Sequence, residues 1–228
     1  CFVITNCEAM QALDDTVLDN LPTHERVYRA LRDTVMDGAL APGEVLTLRG
    51  IAERLSVSMT PAREAVRRLA AERALEMTGS GRIFVPNPGL DQLEDLFQAR
   101  LLLEPELARR AASSPDKTLR KRLSQIDSSI DENMKSGDAV GYIRNNTQFH
   151  RTLYQAAEAP ALLALVETVW LQTAPMMRRV YGRLGTRELT DYHEAALAAL
   201  AKQDAKALAQ AIEADVAQGR DLLRQAQT

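Results

Sequence analysis

Cysteines, aromatic residues and long apolar runs are all scarce in this sequence. Among 228 residues there are two cysteines, Cys1 and Cys7. Both lie at one end, which excludes a disulfide scaffold, and two free thiols suit a reducing cytosol. No apolar run approaches the roughly 18 residues of a membrane span, so no membrane partner is expected and the expected location is cytoplasmic. Aromatics are 4% of the chain, so a core must be built from aliphatic residues. Positive charge is not in excess either: 28 Lys+Arg face 31 Asp+Glu, for a formal net charge of -3. Averaged over the whole chain, that balance gives no hint of nucleic acid. What is present is apolar material, 46% of the residues, enough for one large core or two small ones.

Residues 1–22 are expected to be an extension outside the fold. Cys1–Ile4 is apolar but follows no positive segment, and it is too short for a signal peptide. A start on Cys rather than Met reads as a trimmed chain. From Thr23 the pattern turns helical, with Val27, Leu31 and Val35 at four-residue spacing and Gly38 as a stop. Pro42-Gly43 marks a turn. A short helix is expected over Leu48–Leu55, capped by Thr47 and burying Ile51, Ala52 and Leu55. Another is expected over 60–73, with Thr60 as a hydroxyl cap and Pro61 at the first helical position, burying Ala62, Val66 and Leu69. Leu75–Thr78 and Arg82–Val85 flank Gly79-Ser80-Gly81 and read as a β-hairpin.

Asn87–Gly89 reads as a linker, and residues 90–228 read as six helices in an antiparallel bundle. Their apolar stripes run through Leu93, Leu96, Leu103 and Leu107, then Leu119, Leu123, Ile126 and Ile130, then Ile143, Phe149 and Leu153. A fourth helix from about Ala161 carries Leu162, Leu165, Val169 and Trp170 and is expected to bend or end at Pro175. The last two are placed at about 187–202 and 204–225. The fold class expected is therefore mainly α: a winged helix-turn-helix of three helices and a small hairpin over 23–86, then a helical bundle.

Two short helices across a tight turn, followed by a hairpin, match a winged helix-turn-helix. Its second helix must bury one face and offer short polar and basic side chains on the other. Ser58, Met59 and Thr60 stand at its N-terminal end, and Arg63 and Arg67 are i,i+4 neighbours on its outer face. Arg82 on the wing is placed for a minor groove or a phosphate, and Arg49 for the DNA backbone. Charge agrees with this: residues 23–86 hold 10 Arg and no Lys against 8 Asp+Glu, a positive module within an acidic chain. The alternative is a merely solvated charged face.

In the bundle, polar groups fall on apolar stripes. Asn146 and His150 share a helix face with Ile143 and Leu153. His193 lies with Leu197 and Leu200, and Asp215 with Leu208 and Ile212. With a turn near Gln203-Asp204, His193 and Asp215 each stand about eleven residues from it, so they face each other at one level. A buried carboxylate is costly unless it is paired or ligates a metal. Two imidazoles with one or two oxygens suit a divalent cation such as Zn²⁺, Ni²⁺ or Mn²⁺. The alternative is a polar pocket in which His150, His193 and Asp215 hydrogen-bond one another or a ligand. Arg100, on a stripe with Leu96 and Leu103, either pairs with Glu104 or points into a cavity where its planar fork suits a carboxylate.

Residues 24–86 resemble the DNA-binding domain of GntR-family transcription regulators. The carrying segments are Leu31–Gly43, Ile51–Leu69 with its Ser-x-Thr-Pro-x-Arg-Glu-Ala stretch, and Gly79–Val85. Residues 90–220 resemble the effector domain of the FadR-type (FCD) subfamily, through Arg100-x-x-x-Glu104, Phe149-His150 and His193 before a final helix. The resemblance implies a homodimer on a palindromic operator, probing for a small organic acid with its helical domain. It implies a metal held by Asn146, His150 and His193, with Asp215 where a third histidine is usual, and an effector contacted by Arg100, Asn146, His150 and His193. It also implies a basic residue between the recognition serine and threonine, where this chain has Met59. The expectation is a DNA-binding regulator of the repressor kind, not an enzyme. Two alternatives stand beside it: a metal-dependent hydrolase, in which the two histidines and carboxylate activate water, and a DNA binder that senses no effector.

Overall fold

A computed structural model of the chain describes residues 21–114, 116–184 and 190–226. Helix α1 (Thr23–Met36) buries Val27, Tyr28, Leu31, Val35 and Met36, the four-residue spacing visible in the sequence. It stops at Gly38, whose φ of 62° is left-handed. There Gly38 N bonds Val35 O and Ala39 N bonds Thr34 O, which closes the last turn. Strand β1 (Val45–Leu46) leads into α2 (Leu48–Arg54), capped by Thr47, whose hydroxyl accepts from Gly50 N at 3.0 Å. Helix α3 (Met59–Ala71) buries Ala62, Ala65, Val66 and Leu69. Strands β2 (Glu76–Met77) and β3 (Ile83–Phe84) form the hairpin. β3 is central and antiparallel to both neighbours, with Val45 opposite Phe84 and Met77 opposite Ile83.

Two expectations for this region are corrected. The recognition helix begins at Met59, not at Thr60-Pro61, so Ser58 takes the cap position and Pro61 sits at the third helical residue. Proline is tolerated there because the first-turn N–H groups have no intrahelical acceptor. β1 was not foreseen, since two residues are too few to show alternation. Helices α1 and α3 are tied by Tyr28, whose hydroxyl donates to both Glu72 carboxylate oxygens at 2.8 and 2.9 Å. Burial, reinforced by Glu72, pushes that phenol up to about 12. Arg68 stacks 3.5 Å over the same ring and pairs with Glu25.

The bundle consists, among the described residues, of α4 (Leu90–Ala111), α5 (Leu119–Ser136), α6 (Ala139–Gln155), α7 (Pro160–Leu184), α8 (Tyr192–Ala201) and α9 (Ala205–Gln225). α4 packs along α9 and across α7, α5 along α6, and α8 forms a hairpin with α9. Pro175 neither ends nor divides α7, which runs through it, and Pro160 opens that helix. The next described helix starts at Tyr192, later than the expected 187; residues 185–189 lie outside the described residues, as do residue 115 and residues 1–20 of the expected extension. No described helix is long and apolar enough to cross a membrane.

The winged module rests on the bundle through α1 and the turn after it. Arg32 pairs with Glu167 of α7 at 2.7 Å, and Arg151 of α6 reaches Glu167 at 3.1 Å and Asp33 at 3.8 Å. Arg178 donates to the carbonyls of Gly38 and Ala39. Gly38 fits tightly: a Cβ there would lie 3.0 Å from Ile143 Cδ1 and 3.5 Å from the Ala174 carbonyl.

Candidate functional site

Three helices bring polar side chains to one buried point. Helix α6 presents Asn146, His150 and Tyr154 at successive turns of one face. Asp191 caps α8, accepting from Glu194 N at 3.0 Å, which sets His193 in the first turn. Asp204 caps α9 in the same way, through Ala207 N at 2.9 Å. With both caps fixed, the hairpin places His193 Nε2 4.0 Å from Asp215 Oδ1. His150 Nε2 approaches Asp215 Oδ2 to 3.0 Å, and the two imidazole centroids are 5.4 Å apart. His150, His193 and Asp215 each offer an atom within 4.8 Å of the others.

A support network fixes the His150 ring. Glu104, with no exposed surface, accepts from Arg100 Nε at 2.5 Å, Tyr154 Oη at 2.8 Å and Trp170 Nε1 at 2.9 Å. A carboxylate paired with Arg100 is acceptor-only, so the single Tyr154 proton goes to Glu104. The Tyr154 oxygen therefore accepts from His150 Nδ1 at 3.0 Å. In the neutral ring that leaves Nε2 with a bare lone pair, facing the Asp215 carboxylate. At that distance Nε2 still lacks the alignment of a hydrogen bond. Two electron-rich atoms facing each other unbonded ask for positive charge between or beside them.

Further atoms make the same demand. Asn146 Oδ1 and His193 Nε2 are buried without a hydrogen-bond partner. Burial alone would push the Asp215 carboxyl up, but His150, His193 and Arg100 outweigh it and hold it at about 2. Burial also works against protonation of His193, yet the Asp127 carboxylate, 3.5 Å from Nδ1, and Asp215 outweigh it and raise its pKa. The donor set of two imidazole nitrogens, a carboxylate and an amide oxygen fits a divalent cation of the Zn²⁺, Ni²⁺ or Mn²⁺ group. The orphaned atoms fit it too, since buried polar groups are otherwise hydrogen-bonded.

Beside this point lies a cavity of about 50 Å³ lined by Arg100, Asn146, His150, Trp170, Tyr181 and Asp215, among others. Both sequence readings of Arg100 meet here. Its Nε is committed to Glu104, and its side chain also borders the cavity. The sequence reading missed Tyr154 and Asp127 as supporting groups, and it treated Trp170 only as stripe. One signal was available: Tyr154 stands four residues after His150, as Glu104 does after Arg100.

The second polar region is the outer face of α3. Ser58, Met59, Thr60, Arg63 and Arg67 are all exposed there, as is Arg82 on the wing. Among the described residues Arg63, Arg67 and Arg82 form no ion pair. Arg49 does: it meets Glu53 at 2.8 Å in a highly exposed i,i+4 pair, an interaction easily exchanged for a phosphate. Arg68 is taken by Glu25 and Tyr28 and is not available. The Ser58 hydroxyl makes no cap hydrogen bond, so the first N–H groups of α3 are open.

A winged helix-turn-helix with free arginines on its second helix, mounted on a helical bundle with a buried polar cavity, defines a class: transcription regulators that bind DNA at one end and carry an effector domain at the other. Residues 23–85 match the model of the bacterial regulatory proteins of the gntR family, and residues 95–218 match that of the FCD domain. The chain belongs to the GntR family of bacterial regulatory proteins, with an FCD effector domain, and is a transcription regulator rather than an enzyme. It is 27% identical over 169 residues to the HTH-type transcriptional regulator McbR of Escherichia coli, covering 74% of this chain and 76% of that one. It is 28% identical over 162 residues to the gluconate operon transcriptional repressor of Bacillus subtilis, covering 70% of this chain and 64% of that one. The solved structure of E. coli McbR superposes with a TM-score of 0.85 at 26% identity, over 91% of this chain and all (100%) of McbR.

Proposed function

We propose that this protein is a homodimeric repressor whose hold on a palindromic operator is set by a small carboxylic acid in the α4–α9 cavity. One observation carries the reading. Three buried, partnerless atoms, Asn146 Oδ1, His150 Nε2 and His193 Nε2, gather with Asp215 at a cavity that Arg100 borders. A divalent cation held by Asn146, His150, His193 and Asp215 would supply a Lewis-acid anchor for a carboxylate. Arg100 would hold the acid from the other side through its terminal nitrogens, while Glu104 keeps the guanidinium oriented. The small cavity favours a short acid, since about 10–15 Å³ of such space holds one water. On α3, Arg63 and Arg67 bind backbone phosphates, with Arg49 and Arg82 at the flanks. The name of the B. subtilis relative supports repression.

Ligand control requires that the acid favour one pose of the winged modules over another. Ile143 and Ala174 line the cavity and also meet Gly38, so a change in the cavity wall reaches the winged module directly. The test combines metal analysis of chelator-free protein with thermal shifts over a panel of short carboxylic acids. Stabilisation by one class of acid, lost in Arg100→Ala and after chelation, is expected. Protein that holds no metal and responds to no acid overturns the reading. A second reading rests on the 3.0 Å approach of His150 to Asp215: a protonated His150 pairs with Asp215, and the acid binds with no metal. An acid response that survives chelation selects it.

A further inference from the structure

The exposed face of α3 carries one residue that neither folding nor phosphate binding explains. Met59 opens the helix and is 41% exposed, so it is not part of the core. It heads the row Met59–Arg63–Arg67 at i, i+4 and i+8, and both arginines in that row are free of ion pairs. Ser58 and Thr60, its neighbours, are exposed as well. A thioether offers no donor to a phosphate or to the N7 and O6 acceptors of guanine. Placed against guanine, it would leave both acceptors dehydrated and unpaired. Against thymine it meets the C5 methyl, the one apolar feature of the major-groove edge. Its three rotatable bonds and polarizable sulfur let it cover that methyl without strict alignment.

We infer that Met59 is a specificity-determining residue that reads a thymine methyl in each half of the operator, while Arg63 and Arg67 supply the charge. This rests on the reading of α3 as the DNA-contacting helix and goes beyond it by naming the base. The row has an apolar head and a cationic tail, so sequence preference is concentrated at one end and general affinity at the other.

The test uses the intact chain and duplexes selected by it from random sequence. Each thymine of a selected duplex is replaced in turn by deoxyuridine, which deletes only the methyl. One position per half-site is expected to weaken binding about fourfold, the worth of one buried methyl-sized group. That penalty disappears in Met59→Ala, and selection with Met59→Arg replaces the thymine by guanine. Melting curves of the variants match the parent, because the residue is exposed. Three results overturn the inference alone: no methyl-sensitive position, a penalty unchanged in Met59→Ala, or a penalty lost only in Thr60→Ser, which would assign the contact to the Thr60 methyl. Selection that yields no preferred duplex at all instead overturns the DNA reading on which the inference stands.

Discussion

The winged module and the bundle hold their working groups in opposite conditions. On α3, Arg63 and Arg67 are in water and, among the described residues, unpaired; in the bundle the polar atoms are out of water and unsatisfied. Each condition suits the partner proposed for it. A polyanion is bound by cations that displace a counterion atmosphere, so solvent-facing charge is needed and burial would waste it. A small ligand must be held by few groups, and these are strong only where water is excluded. The costs differ accordingly. Exposed arginines cost little to the fold. The buried cluster needs Glu104, Tyr154 and Trp170 to orient it and is built from five helices.

The sharpest way to break this comparison is at Glu104. Glu104→Ala leaves Arg100 buried without its partner and frees Tyr154 and Trp170, so a loss of about 3–5 kcal/mol in urea unfolding is expected. A loss below about 1 kcal/mol would mean that the network is not a structural element. Gly38→Ala comes next. It places an ordinary residue at φ 62° and a Cβ 3.0 Å from Ile143. About 2 kcal/mol of stability should be lost, read by thermal or urea denaturation.

Asp37, at the end of α1 and within the field of Arg144 and Arg151 of α6, makes stability depend on pH. Burial, with the nearby Asp33 charge, raises its carboxyl from 3.8 to about 6, against Arg144 and Arg151. The folded chain thus binds this proton more tightly than the unfolded one. Its contribution to stability is fully present below about pH 4 and is lost as pH rises through about 6. Asp37→Asn should remove that part of the slope and stabilise the protein by about 1–2 kcal/mol at pH 7, visible in melting temperatures taken across pH 4–7. On the DNA side the fold should not respond. Arg67→Ala is expected to keep the parent melting curve while lowering the log–log salt slope of DNA binding by about 1. Arg49→Ala should change melting not at all and DNA binding least, since its charge is already shared with Glu53.

Much of this was legible in the sequence. Val27, Leu31 and Val35 announced α1, and the Thr47 and Gly38 signals fell where the chain turns. The His193–Asp215 juxtaposition followed from counting outward from the Asp204 turn, because both helices of the hairpin are regular and capped. What was not legible depended on long-range partners. β1 exists only because β3 pairs with it. Pro175 stays helical because α7 packs through it against α4 and α6, which local propensity does not register. The Glu104 hub joins residues 50 and 66 positions apart, which no local pattern connects.

Gly38 also bears on how such proteins can be recombined. The covalent join between the two regions is the short stretch of chain between β3 and α4, the natural place to cut a chimera. The mechanical join is elsewhere: the turn after α1 sits on Ile143 and Ala174, and Arg178 grips its carbonyls. A foreign winged module spliced in at Asn87 brings its own turn to that seat. A module without a left-handed glycine there should dock poorly on Ile143 and Ala174, and the ligand control proposed above should weaken with it. For the ligand control proposed above, the unit to exchange is the module together with its seat, although the two are remote from each other along the chain.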